Sequence, residues 1–139
     1  MSITPEENKA IIRRFNHEGI AQGNVATLNE LLAPDFLNHS APAGMDAGPG
    51  GMHYFFLHIL QPALSNLQVE IHDQVAEGDK VTTRKAIKGL HTGELLGLAP
   101  TQQPVSIDVI DIYQLREGKL IGHWGLTTLA DVMSQLAAH

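Results

Sequence analysis

Two residues in the C-terminal half can act together as an acid/base pair. Asp111 and His123 lie in stretches that alternate apolar and polar residues, one on each side of the turn Glu117-Gly118. Alternation of that kind marks strands, in which every second side chain shares a face. Val109, Asp111 and Tyr113 then share one face, as do Ile121, His123 and Gly125 on the following strand. A short turn makes the two strands antiparallel neighbours, so Asp111 can stand beside His123 across the ladder. A carboxylate beside an imidazole is either an orienter with its base or a structural hydrogen bond. Both readings are open at this point.

Eight histidines against two tyrosines and one tryptophan also raise metal chemistry. Spacing speaks against it. His53 and His58 are five residues apart, which takes them off a shared helical face. Neither His-x-x-x-His nor His-Glu-x-x-His occurs. His17 reads as helix surface and His139 as terminus. No metal is expected.

Composition removes further classes. The chain has 139 residues and no cysteine, which excludes disulfide scaffolds, thiolate zinc sites and a cysteine nucleophile. Nine basic residues against fifteen acidic ones give a net charge of −6, so neither nucleic acid nor an anionic membrane is an expected partner. No run approaches the ~20 apolar residues of a membrane span. The start lacks a basic segment followed by an apolar one, so a cytoplasmic protein is expected.

The elements that must position these residues follow from capping and period. Thr4-Pro5-Glu6-Glu7 reads as a capping box with proline in the first turn, opening a helix that Gly23-Asn24 ends. A second helix is expected over Val25–Leu32, stopped by Pro34, with a loop behind it. A Gly/Pro loop over 41–51 leads to a third helix, Met52–Leu60, broken by Pro62. Strands are expected over Leu67–His72, Lys80–Lys88, Gly89–Leu96, Val105–Leu115 and Lys119–Leu126, then a terminal helix over Leu129–Leu136. Helices first and a meander after make one α+β domain over residues 1–139, with helices on one face of the sheet.

Four segments then carry a family likeness. They are Asp35-Phe36-Leu37-Asn38-His39, Glu77-Gly78-Asp79-Lys80-Val81, the stretch from His91 to Thr101, and the stretch from Asp111 to Trp124. In this order the chain resembles the SnoaL-like polyketide cyclase (ester cyclase) family, from about Asn8 to Leu136. The resemblance implies a cystatin-like, nuclear-transport-factor-2-like cone: a curved, mostly antiparallel sheet wraps the N-terminal helices and leaves a deep apolar pocket. It implies a homodimer or homotetramer built through the outer sheet face. It also implies ring closure by an intramolecular aldol reaction without metal or cofactor, with one aspartate directly after a His-Trp pair as acid and base. Here Gly125 follows His123-Trp124, and Gly122 stands where the family carries Glu. Thr101-Gln102-Gln103-Pro104 also departs from the family's Pro-Thr-Gly turn.

The resemblance turns His123 toward the pocket, since Gly125's position faces it. Asp111 and His123 are then the candidate replacements for the missing carboxylate. It places Asn38 and His39 at the pocket mouth and His91 at its rim, where each either meets substrate or satisfies local backbone. Phe15, Met52, Phe55, Tyr113 and Trp124 are further candidates for contact with a flat ligand, alongside Met45 and Phe56. Trp124 follows an inward histidine, so its indole can face the opposite side. Arg84 reads as a half-exposed strand charge. The expected function is an acid/base enzyme on a small carbonyl compound; the alternative is a non-catalytic ligand-binding protein on the same fold.

Overall fold

The capping box forms as the sequence requires. Thr4 Oγ1 accepts from the Glu7 N–H at 3.1 Å, and the Glu7 carboxylate accepts from the Thr4 N–H at 3.4 Å. These contacts open α1, Pro5–Arg14, which continues into a π-helical segment, Phe15–Ala21. Asn24 caps α2, Val25–Leu31, by accepting from the Thr27 N–H. The computed structural model describes residues 3–138.

The segment behind α2 is a strand rather than a loop. Leu32–Asn38 forms β1, with Pro34 inside it. Its edge position explains how proline is tolerated there, because an edge strand can spare one ladder donor. The third helix also differs from expectation. It begins at Pro49, as α3 (Pro49–Tyr54), widens into a π-helical segment, Phe55–Leu60, and closes with Gln61–Ala63. Helical backbone runs through Pro62 and ends one residue later, at Ala63.

Four long strands follow: β2 (Leu64–Glu77), β3 (Lys80–His91), β4 (Pro104–Arg116) and β5 (Lys119–Thr127). The separate strand expected at Gly89–Leu96 is absent. Its first residues prolong β3, and the rest is a loop held against the end of the third helix. The N–H groups of Thr92 and Gly93 both donate to the Ala63 carbonyl at 3.1 Å. A Cβ on Gly93 would lie 2.0 Å from the Pro62 carbonyl oxygen, so this approach needs glycine. A C-terminal helix, Leu129–Ala137, closes the described chain. Among the described residues no helix is long and apolar enough to cross a membrane.

The five strands form one curved sheet in the order β1-β5-β4-β3-β2. β1 runs parallel to β5 and the remaining pairs are antiparallel. On β4 buried and more exposed residues alternate along nearly the whole strand, so Val105, Ile107, Val109, Asp111, Tyr113 and Leu115 all face the helices. On β5 strict alternation fails. A bulge beside Gln114 and Leu115 sets Leu120 opposite Leu115 and His123 opposite Tyr113. Leu120, not Ile121, therefore joins His123 on the inner face. Such bulges add local twist and help the sheet curl around the helices.

Phe15 lies at the centre of this packing. It is fully buried, and its ring meets Phe56 and Tyr113 edge to face at 6.1 and 5.4 Å. It is a core residue behind the cavity described below. Phe15→Ala is expected to cost about 3–5 kcal/mol, read as a lower denaturation midpoint. A midpoint equal to wild type would contradict this placement.

Candidate active site

A cavity of about 450 Å³ opens between the inner face of β3–β5, the π-helical part of the third helix and the turn after β1. Its walls are mostly apolar, with Met45, Met52, Phe55, Phe56, Ile59 and Leu96 among them. The π-helical widening turns Phe55, Phe56 and Ile59 along one wall. Polar groups gather on the sheet side: Asn38, Lys85, Asp111, Tyr113 and His123.

Strand register explains the gathering. Asp111 is paired with Gly125, and Tyr113 with His123, across the β4–β5 ladder. His123 Nε2 lies 3.9 Å from Asp111 Oδ2, closer than a random neighbour but too far for a hydrogen bond. The nearer partner of Asp111 is Lys85, whose Nζ is 3.0 Å from the same oxygen. Both side chains of that pair are 2 % exposed. Lys85 also donates to Asn16 Oδ1, and Asn16 Nδ2 in turn donates to the Ile12 carbonyl at 2.9 Å. Asp111 Oδ1 is buried with no hydrogen-bond partner among the described residues.

These neighbours set the protonation of the site. Burial alone would push the Asp111 carboxyl up, but the charge of Lys85 and the adjacent His123 outweigh it and hold it below its ordinary value. Asp111 is therefore a carboxylate at neutral pH. Tyr113 is driven the other way: full burial, helped by the Asp111 charge, pushes its hydroxyl well above the usual phenol range. It remains a neutral phenol. Its ring lies 4.5 Å from the imidazole of His123.

Gly125 has a second consequence. A Cβ there would sit 2.8 Å from His123 Cε1 and 2.9 Å from Nε2. The imidazole thus lies over the position that a side chain at 125 would start from. Glycine gives the ring its room.

Eight of the residues singled out from the sequence come together on this cavity: Asn38, Met45, Met52, Phe55, Phe56, Asp111, Tyr113 and His123. The others lie elsewhere. Phe15 packs behind the wall, in the core. His39 stacks on Trp124, with centroids 4.4 Å apart and planes within 5°. Trp124 points away from His123 because neighbouring strand residues face opposite sides. His91 is fully buried, and its Nδ1 accepts from the Thr101 N–H at 3.2 Å, which ties down the loop after β3. Arg84 is bound to Asp73 at 2.9 Å. His139 lies outside the described residues. Lys85 was missed from the sequence, although it had a signal: Val81, Thr83, Lys85 and Ile87 share one strand face, so a lysine there is inward. Among the described residues no cluster of three or more His, Asp and Glu could hold a metal ion.

The model of the SnoaL-like polyketide cyclase family matches residues 10–136. The chain belongs to this family. Solved structures with the same fold include TsrD from Streptomyces laurentii, 22% identical with a TM-score of 0.86, covering 99% of this chain and 100% of that one. A candidate SnoaL-like polyketide cyclase from a Jannaschia species is 24% identical with a TM-score of 0.83, covering 100% of this chain and 99% of that one. IdmH from Streptomyces antibioticus, a candidate polyketide cyclase, is 25% identical with a TM-score of 0.79, covering 94% of this chain and 99% of that one. No protein of curated function matches the chain. This SnoaL-like chain thus has the family's α+β fold around an apolar cavity, with a glycine at position 125.

The buried ion pair makes the site's stability depend on pH. Asp111 has a lowered pKa in the folded state, so its contribution is complete above the unfolded value of about 3.9 and is lost as pH falls through the folded one. Asp111→Asn leaves Lys85 without its counter-charge and is expected to cost about 3–5 kcal/mol at pH 7. In denaturant titrations the gap to wild type should close as pH drops below about 4. A gap unchanged between neutral and acid pH would contradict the assignment.

Proposed function

We propose that the cavity is an active site for acid/base chemistry next to a carbonyl group, of the aldol or isomerase type, needing neither metal nor cofactor. The observation that carries this reading is the placement of the His123 imidazole over Gly125, on the wall of an apolar cavity and beside a carboxylate. In this reading the imidazole stands in for the carboxylate that the family likeness places at position 125.

The chemistry can be written atom by atom. A carbonyl compound enters with its flat body against Met52 and Phe55. Nε2 of neutral His123 takes a proton from the carbon next to the carbonyl, and the C–H electron pair moves into the enolate. The imidazolium so formed faces the Asp111 carboxylate, which stabilises it. Negative charge on the enolate oxygen is met by an N–H of Lys85 or by the Tyr113 hydroxyl, both on the cavity wall. The two partners named for Lys85 leave one of the three N–H donors of an ammonium for this task. The enolate carbon then attacks a second carbonyl of the same molecule, and the resulting alkoxide recovers the proton from His123. In an isomerase the proton returns to a different carbon. Low polarity around the site strengthens each of these interactions.

Binding without turnover is the second reading, and Gly122 and Gly125 favour it because each leaves a position without a carboxylate. One experiment separates the two. An aryl 1,3-diketone in deuterated buffer should exchange its α-protons faster with the protein than without it. His123→Ala should lower the excess rate more than tenfold, and Asp111→Asn should lower it too. Binding of the probe with no excess exchange would favour the second reading and overturn the first.

The same reading includes a homo-oligomer. Ile110 and Leu126 are paired on the outer sheet face and are 53% and 82% exposed. Ile112 and Trp124 form the next pair on that face. A continuous apolar strip of this kind supports association through the sheet. Leu126→Lys is expected to shift the sedimentation coefficient toward monomer. A wild-type protein that is monomeric at micromolar concentration would remove the proposal.

A further inference from the structure

We propose that the turn from Asn38 to Ser40 is a tautomer lock, which keeps the proton of neutral His123 on Nδ1 and leaves Nε2 bare toward the cavity. This rests on the acid/base reading of the site and goes beyond it, because it says which nitrogen is the base and what makes it so.

A neutral imidazole has one donor nitrogen and one acceptor nitrogen, and its partners decide which is which. His123 Nδ1 lies 2.8 Å from Asn38 Oδ1. Taken alone this contact decides nothing, since an amide can be turned to present either its oxygen or its NH2. A second contact decides it. The backbone N–H of Ser40 points at the same Asn38 atom from 3.0 Å. A backbone N–H can only donate, so that atom is an oxygen. Turning the amide over would set NH2 against N–H. The atom accepting from Ser40 must also accept from His123, and Nδ1 therefore carries the hydrogen. Nε2 is left with its lone pair and lies 3.9 Å from Asp111 Oδ2.

The turn holds β5 at further points, so the ring cannot easily leave the lock. The Gly125 N–H donates to Ser40 Oγ at 2.9 Å, and the His39 N–H donates to the His123 carbonyl at 2.8 Å. Asn38 itself is paired with His123 in the parallel β1–β5 ladder, and its own N–H donates to the Ala47 carbonyl at 2.7 Å. Stacking of His39 on Trp124 fastens the outer side of the same strand pair. The Asn38 side chain, singled out from the sequence as a ligand contact, is thus a positioning group that also borders the cavity. The bare Nε2 suits a reaction that begins by taking a proton. With the opposite tautomer, an N–H would face the substrate carbon and no base would be present.

Nitrogen NMR of the protein labelled with 15N-histidine tests this directly, above the pH at which His123 is protonated. The wild-type spectrum should show Nδ1 of His123 as protonated and Nε2 as bare. Asn38→Leu should give a mixture of tautomers or the Nε2–H form. In that variant kcat for α-proton exchange should fall about tenfold or more, while KM stays within about twofold. Asn38→Asp keeps an acceptor for both the Ser40 N–H and Nδ1–H, so it should restore the Nδ1–H form. A wild-type spectrum with the hydrogen on Nε2 would overturn the lock, as would Asn38→Leu retaining a pure Nδ1–H form. The expected spectra without any protein-dependent exchange would remove the acid/base reading and leave the lock standing.

Discussion

The buried pair of Lys85 and Asp111 constrains everything around it. Two full charges, each 2 % exposed, sit on the inner face of a sheet that is otherwise apolar. Such a pair is costly to bury and is tolerable only when both groups are well partnered. Asn16 supplies part of that partnership, and it can do so because the π-helical segment after α1 places its amide against the sheet. The helix, the sheet register and the charge pair thus depend on one another. Loss of either charge leaves the other stranded in the core.

That cost has a functional counterpart. A stability-driven design would fill this position with a hydrophobic residue. The carboxylate faces His123 instead, and its Oδ1 has no partner among the described residues. Unpartnered buried acceptors are rare because they forgo a hydrogen bond. The glycine at position 125 belongs to the same arrangement. It leaves one position of β5 without a side chain and gives the imidazole two residues earlier room to lie over it.

Much of this was legible in the sequence. The antiparallel pairing of the last two strands, the shared face of Asp111 with Tyr113 and of His123 with Gly125, and the capping box at Thr4 all follow from local rules, while the inward direction of His123 follows from the family likeness. Other features were hidden for physical reasons. β1 is a short edge strand that pairs only with a segment more than eighty residues away, and its Pro34 argues locally against a strand. The π-helical segments carry ordinary helical residues, so period alone does not expose them. The bulge that brings Leu120 and His123 to one face depends on the partner strand. The family likeness places His39 and His91 at the pocket mouth and rim, while their actual partners, Trp124 and Thr101, are set by tertiary packing. Lys85 is legible in the sequence, since its parity within β3 places it on the face of Val81 and Ile87.

The central claim is that His123, through Nε2, is the base of this cavity. A crystal structure of the protein with a bound aryl 1,3-diketone tests it most directly. The account requires the carbon between the two carbonyls to lie about 3–3.5 Å from Nε2, with a carbonyl oxygen in reach of Lys85 or Tyr113. A ligand seated in the cavity with that carbon remote from Nε2, and with its oxygens turned toward the mouth, would contradict it.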